Sequence, residues 1–226
     1  MNQKRTATPH AYHHGNLRSA LVDAAVALVS EEQDWAFSLR EVARRAGVSH
    51  NAPYNHFADK RDLLAAVAAT GFDSLRERIL TETAGAGNLK AKLVKTAVAY
   101  VSFGVENPAR YRLMFGSAAV PTPRETQPTS LATAAASAKA VLEGFILWGS
   151  QQGELAVSSR RKEELQIATL AAWSTVHGLT MITIDRLAGT SGSDIPELAE
   201  KVARLVCNGL VRKRGLISVS APNGRG

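Results

Sequence analysis

Apolar residues recur every three to four positions along most of the chain and almost nowhere in strict alternation. That period belongs to helices with a buried face, not to half-buried strands. Leu17, Leu21, Ala24 and Leu28 share one face, and their run ends between Glu31 and Asp34. Ser38 stands three residues before Glu41, which predicts a capping box, and Gly47 supplies the stop for that helix. A short helix over 49–56 is expected next. Asp59 then opens a long one, with Leu63, Leu64, Val67, Phe72, Leu75 and Ile79 inward and 84-AGAGN-88 as its end.

The same pattern predicts helices over 89–106, from Pro108 through Phe115, over 131–153, 160–187 and 195–213. Asn107-Pro108 is a cap followed by proline at the first helical position. The three prolines in 117–130 mark a loop, and 188-AGTSGSD-194 a turn ending in a capping aspartate. The expected fold is all-α, with nine helices and no confident strand. Residues 1–14 read as a flexible basic arm and 217–226 as a disordered tail.

Composition adds limits. The chain has 226 residues, 45% apolar and 6% aromatic, which suits one or two globular domains. A single cysteine, Cys207, permits no intramolecular disulfide, in keeping with a reducing, cytoplasmic setting. No unbroken apolar run of about 18 residues is seen, so no membrane span is expected. The basic N-terminus lacks the apolar core of a signal peptide. The net charge of +7 points only weakly to nucleic acid, because residues 1–75 hold eight Lys/Arg against eight Asp/Glu.

Local pattern says more. Residues 38–57, SLREVARRAGVSHNAPYNHF, fit a helix-turn-helix. Leu39, Val42, Ala43 and Ala46 give the first helix its inner face. Gly47 tolerates the dihedrals of the turn, and Val48 packs beneath it. The second helix should present N-terminal side chains to the major groove. Ser49, His50, Asn51, Ala52, Tyr54, Asn55 and His56 are the candidates. Asparagine pairs two-pronged with adenine, and a tyrosine hydroxyl meets phosphate. No acid occurs from Val42 to Ala58. Arg40, Arg44, Arg45 and Lys60 flank the segment, with Lys60 near a helix start where phosphate is favoured.

Pro53 sits inside the expected reading helix. If Ser49 is the cap, Pro53 is the fourth helical residue and forfeits one hydrogen bond. If Asn51 is the cap, Pro53 is the second and its missing N–H costs nothing. The bias that a proline imposes on the preceding residue, Ala52, favours the later start.

The runs HGNLRSALVDAAVALVSEE, FSLREVARRAGVSHNAPYNHF and ADKRDLLAAVAATGF, covering 15–75, resemble the N-terminal domain of TetR-family transcriptional regulators. The spacing G-V-S-x-x-x-x-Y-x-x-F-x-x-K followed by D-L-L carries the resemblance. It implies a DNA-reading domain over 15–75, phosphate contacts by Tyr54 and Lys60, and a ligand-binding and dimerisation domain over 76–216. It implies operator DNA, a small-molecule effector and a second copy of the chain as partners. The family dimerises through its last two helices. Where this chain has proline at 53, the family usually has leucine or another apolar residue. The segment 173-WSTVHGL-179 resembles a tryptophan–histidine–glycine signature of one C-terminal subclass, and 106-ENPARYRLMFG-116 and 149-GSQQGEL-155 fit the same subclass.

The last two predicted helices carry the apolar faces a dimer needs. Ile195, Leu198, Val202, Leu205, Val206, Gly209 and Leu210 form one stripe. Leu165, Thr169, Ala172, Val176 and Leu179 form a second, and Leu170, Trp173, His177, Met181 and Ile184 a third. The large or polarisable residues Tyr100, Phe103, Tyr111, Met114, Phe115, Phe145, Trp148, Trp173, His177 and Met181 lie on four helices and are candidates to line a pocket. His177 is a candidate polar contact, and Gly178 beside it would permit close helix approach.

Lys4, Arg5, His13 and His14 form an arm of the kind that enters a minor groove. Two adjacent histidines without a third ligand make a poor metal site, so no metal or cofactor is expected. An all-helical enzyme would need a nucleophile–base pairing, and neither G-x-S-x-G nor a P-loop is present. A dimeric module that does not touch DNA is the remaining alternative.

Overall fold

A computed structural model of the chain describes residues 17–119, 129–155, 161–190 and 192–210. The basic arm, the centre of the 117–130 loop and the C-terminal tail lie outside the described residues. Eight α-helices are present, with short 3-10 turns and no strand among the described residues: α1 (Leu17–Glu32), α2 (Leu39–Arg45), α3 (Lys60–Thr83), α4 (Leu89–Glu106), α5 (Pro108–Phe115), α6 (Ser130–Gln151), α7 (Lys162–Ile184) and α8 (Ile195–Leu210). The expected ninth helix, over 49–56, is instead a single 3-10 turn, Ala52–Asn55.

Local chemistry accounts for most helix ends. Ser38 Oγ accepts from the Glu41 N–H at 3.2 Å, one half of the expected capping box. The Glu41 carboxylate pairs with Arg44 at 3.5 Å. Asp59, Asn88 and Thr129 cap α3, α4 and α6, accepting from Asp62, Ala91 and Ala132. Asn107 departs from expectation. Its side chain does not cap α5; it donates back to the Phe103 carbonyl at 2.9 Å, closing the end of α4.

α3 and α4 are the axes of the molecule. α3 is buried continuously from Leu63 to Ala69 and packs against α1, α4, α5 and α6. α4 is walled in by α3, α5, α6, α7 and α8. Close approaches occur where glycine leaves room. A Cβ on Gly104 of α4 would lie 2.2 Å from Thr180 Cγ2 of α7, and one on Gly149 of α6 would lie 2.3 Å from Leu89 Cδ2. Gly178 makes no such approach, since a Cβ there would meet nothing within 4 Å. One apolar cluster runs unbroken from Leu21 of α1 to Ala134 of α6, so the core crosses position 75 in the middle of α3.

α6 and α7 are, by length and composition alone, long and apolar enough to cross a membrane, although neither is an unbroken apolar run. α6 carries only Lys139 and Glu143 as charges, and those of α7 sit in its first turn. In the fold their apolar character has another use. α6 packs along α3, and α7 packs on α4. Ile167, Leu170 and Ile182 of α7 stay exposed, as does Leu205 of α8. The inner face of α8 is not the predicted stripe as a whole. Ile195, Ala199, Ala203 and Cys207 are buried, and Leu205 is 74% exposed.

Candidate nucleic-acid interface and effector cavity

The turn after α2 is built from backbone hydrogen bonds. Val48 N–H donates to the Ala43 carbonyl at 3.0 Å and Gly47 N–H to the Arg44 carbonyl at 3.2 Å. This six-to-one and five-to-two pair is a Schellman closure. It requires a left-handed residue, and Gly47 has φ +68°. Val48 packs against the core as expected.

Proline shapes the reading segment beyond that turn. Ala52 N–H donates to Ser49 O at 2.9 Å, Tyr54 N–H to Asn51 O at 3.2 Å, and His56 N–H to Pro53 O at 3.0 Å. Pro53 has no N–H to contribute, and the bonds around it are spaced by three residues, giving a 3-10 turn. Asn51 stands at the cap, with Pro53 second, which is the later of the two starts. Ala52 and Pro53 are buried, and Phe57 is 1% exposed. Ser49, His50, Asn51, Asn55 and His56 are exposed, and Tyr54 is 55% exposed. Ala52 therefore faces the core, unlike the other reading candidates.

The flanking cations fall into different settings. Lys60 is the first residue of α3, and its ammonium lies 5.1 Å from the centre of the Phe37 ring. Partial burial lowers its pKa from the ordinary lysine value, and Asp34 works against that shift. Arg40 is exposed on α2. Arg45 is held by Glu31 of α1, one of the two bonds measuring 2.7 Å, which braces α2 against α1. The Arg18 guanidinium sits 5.0 Å over the Phe57 ring, fixing the end of the reading turn to α1.

The second feature is a cavity of about 580 Å³ between α3, α4, α5, α6 and α7. Tyr100, Met114, Phe115 and Trp173 line it, as the sequence suggested. Phe72, Leu75 and Ile79 of α3 also form its wall, and were read from the sequence only as inner-face residues. Alanines of α6, among them Ala132 and Ala135, form the opposite wall. Nothing in their type would have marked them. At the α5 wall, a Cβ on Gly71 would lie 2.6 Å from Met114 Sδ, so α3 and α5 touch there. Arg110 of α5 donates to Thr70 and Ser74 of α3 at 2.9 and 3.3 Å.

The other pocket candidates lie elsewhere. Phe103 and Met181 belong to the core cluster around Leu21 to Ala134. Phe145 and Trp148 pack at a second cluster, with the Lys92 ammonium 5.0 and 5.6 Å from their ring centres. Tyr111 is fully buried and His177 stands behind the cavity, in a chain of polar groups. Trp173 Nε1–H donates to the Tyr100 hydroxyl at 3.2 Å, the Tyr100 and Tyr111 hydroxyls lie 3.1 Å apart, and Tyr111 lies 2.7 Å from His177 Nδ1. The Tyr111 hydroxyl donates to the Tyr100 hydroxyl, and with Nδ1 protonated His177 donates to Tyr111, so every member has a partner. Burial holds the His177 pKa below the ordinary imidazole value and pushes Tyr100 up to about 12. Among the described residues, no group of three or more His, Cys, Asp or Glu is placed to hold a metal ion.

An exposed reading turn held by a Schellman closure, set on an all-helical second half with a cavity, defines a helix-turn-helix transcription regulator. Residues 21–67 match the family of bacterial regulatory proteins called the tetR family, and residues 93–206 match the tetracyclin repressor-like C-terminal domain. The chain belongs to the TetR family, whose members are DNA-binding regulators and not enzymes. A protein of unknown function from Rhodococcus sp. RHA1 has a similar structure, with 25% identity and a TM-score of 0.74 over 90% of this chain and 100% of its own. A TetR family transcription regulator from Marinobacter aquaeolei VT8 is similar at 20% identity and TM-score 0.61, over 87% and 96%. The fatty acid degradation regulator FadR from Bacillus halodurans shares the fold at 15% identity and TM-score 0.60, over 87% and 97%.

Proposed function

We propose that this chain is an intracellular, ligand-controlled repressor that binds a near-palindromic operator as a homodimer. The continuity of α3 is the observation that most supports it. Lys60 is the first residue of that helix, and Phe72, Leu75 and Ile79 farther along it line the cavity. At about 1.5 Å per residue, Lys60 and Phe72 are about 18 Å apart on one rod. An occupant that binds one setting of α3 better than another shifts the spacing of the two reading turns.

In this reading, Tyr54, Lys60 and Arg40 meet phosphates, and Ser49, His50, Asn51, Asn55 and His56 approach base edges. Buried Ala52 drops out of the contact set. The reading domain is 15–75 and the effector and dimerisation domain 76–216, of the tryptophan–histidine–glycine subclass. Trp173 and His177 of that signature close the two ends of the buried polar chain. The second subunit covers Ile167, Leu170 and Ile182 of α7 and Leu205 of α8, the large apolar residues that these two helices leave exposed. A two-fold dimer then sets two reading turns about 34 Å or more apart.

Selecting bound fragments from genomic DNA with the purified protein tests this directly. The selected sites should be near-palindromic. The Tyr54→Ala, Lys60→Ala double variant should lose binding to them and remain a dimer. Unchanged affinity in that variant would sink the assignment.

A further inference from the structure

We propose that the C-terminal cavity takes an uncharged, mainly apolar molecule carrying one hydrogen-bonding oxygen, which pairs with the Thr96 hydroxyl; this rests on the ligand-controlled reading above. Five threonines are buried in the described structure. Four of them, Thr83, Thr169, Thr180 and Thr183, donate to the carbonyl four residues back, at 2.7, 2.9, 2.7 and 2.7 Å. Thr96 does not. Its Oγ1 is buried without a hydrogen-bond partner among the described residues, the residue is 5% exposed, and it lines both this cavity and a smaller one of about 30 Å³ between α4, α6, α7 and α8. A buried hydroxyl left unpaired is costly, and an occupant that brings an oxygen to it relieves that cost.

The rest of the lining limits the occupant's charge. Phe72, Leu75, Ile79, Met114 and Phe115 present apolar surface, and α6 presents alanines and leucines. Among the described residues no carboxylate lines the cavity, so a cation finds no counter-charge from them. Lys139 is the one cationic side chain among the described lining residues. It is half exposed and already paired with Glu143 at 2.9 Å. An anion would gain little from it and would give up its hydration on entry. The Tyr100 hydroxyl is engaged by Trp173 and Tyr111, and Thr129 Oγ1 caps α6, so among the described lining residues Thr96 carries the one hydroxyl without a hydrogen bond.

Calorimetry on the full-length protein with four probes of one skeleton tests this: naphthol, naphthalene, naphthoate and naphthylmethylammonium. Naphthol should bind, and the two ions should bind at least about tenfold more weakly. Thr96→Val should weaken naphthol about tenfold, the value of one well-placed hydrogen bond, and change naphthalene less than about twofold. Without ligand, Thr96→Val should melt at or above the wild-type temperature, because it removes an unpaired hydroxyl. Equal naphthol affinity in the two proteins, tighter binding of naphthoate, or no binding of any probe each overturns the proposal. The same naphthol titration with operator DNA present separates the two readings. Thr96-dependent binding without DNA release would overturn ligand control and leave the occupant's chemistry standing.

Discussion

The Tyr111 hydroxyl and Nδ1 of His177 lie 2.7 Å apart and tie α5 to α7 behind the cavity. Tyr111→Phe removes the central hydroxyl of the chain and leaves His177 and Tyr100 each short of a partner. The expected loss is about 1–3 kcal/mol of unfolding free energy, read by urea denaturation.

Burial of the His177 ring sets a pH dependence. Burial lowers the His177 pKa, so the folded protein keeps the ring neutral where the unfolded chain, with its pKa near about 6.5, takes up a proton. The unfolded state then binds more protons, and stability falls as pH drops from about 6.5 toward the lower folded value. Above about 6.5 this contribution is fully present. Urea midpoints measured from about pH 8 to about pH 5 should fall more steeply for wild type than for His177→Gln. Parallel curves would show that His177 is not the group responsible.

Two helical glycines should respond to alanine in opposite directions. A Cβ on Gly104 meets Thr180 Cγ2 at 2.2 Å, and one on Gly144 meets nothing within 4 Å. Gly104→Ala should destabilise by about 1–3 kcal/mol through overpacking. Gly144→Ala should stabilise by up to about 1 kcal/mol through helix propensity. Thermal melts of the two variants check the pair.

Tyr54 and Lys60 are both assigned to phosphates, but only one carries charge. Lys60→Ala should weaken operator binding and flatten the slope of log affinity against log salt by about one per subunit. Tyr54→Ala should weaken binding and leave that slope unchanged. Fluorescence anisotropy over a salt series distinguishes them.

Leu170 and Leu205 are 56% and 74% exposed on α7 and α8. If these helices meet a second subunit, Leu170→Glu with Leu205→Glu should shift the protein to monomer in sedimentation and leave its helical circular dichroism intact. A dimer that persists would move the interface elsewhere.

Much of the fold was legible along the chain. α4 runs from Leu89 to Glu106, the expected bounds, because an asparagine cap and Asn107-Pro108 delimit it locally. The inner face predicted for α3 is buried at each named position. The pocket was less legible. Phe103 and Phe145 are as large and apolar as Phe72 and Phe115, yet only the latter two border the cavity. Size and hydrophobicity mark a residue as inward, and packing partners decide whether inward means core or void.

By itself the sequence determined what depends on near neighbours: helix limits, the left-handed Gly47, and the start of the reading segment at Asn51 with Pro53 second. Those interactions span a few residues, so their signals stay within reach of one another on the chain. Only the tertiary structure decided that Ala52 faces inward, that Tyr111 and His177 meet, and that Thr96 borders a cavity with its hydroxyl unpaired. Each of those depends on side chains brought together from distant helices, whose mutual placement no local pattern records.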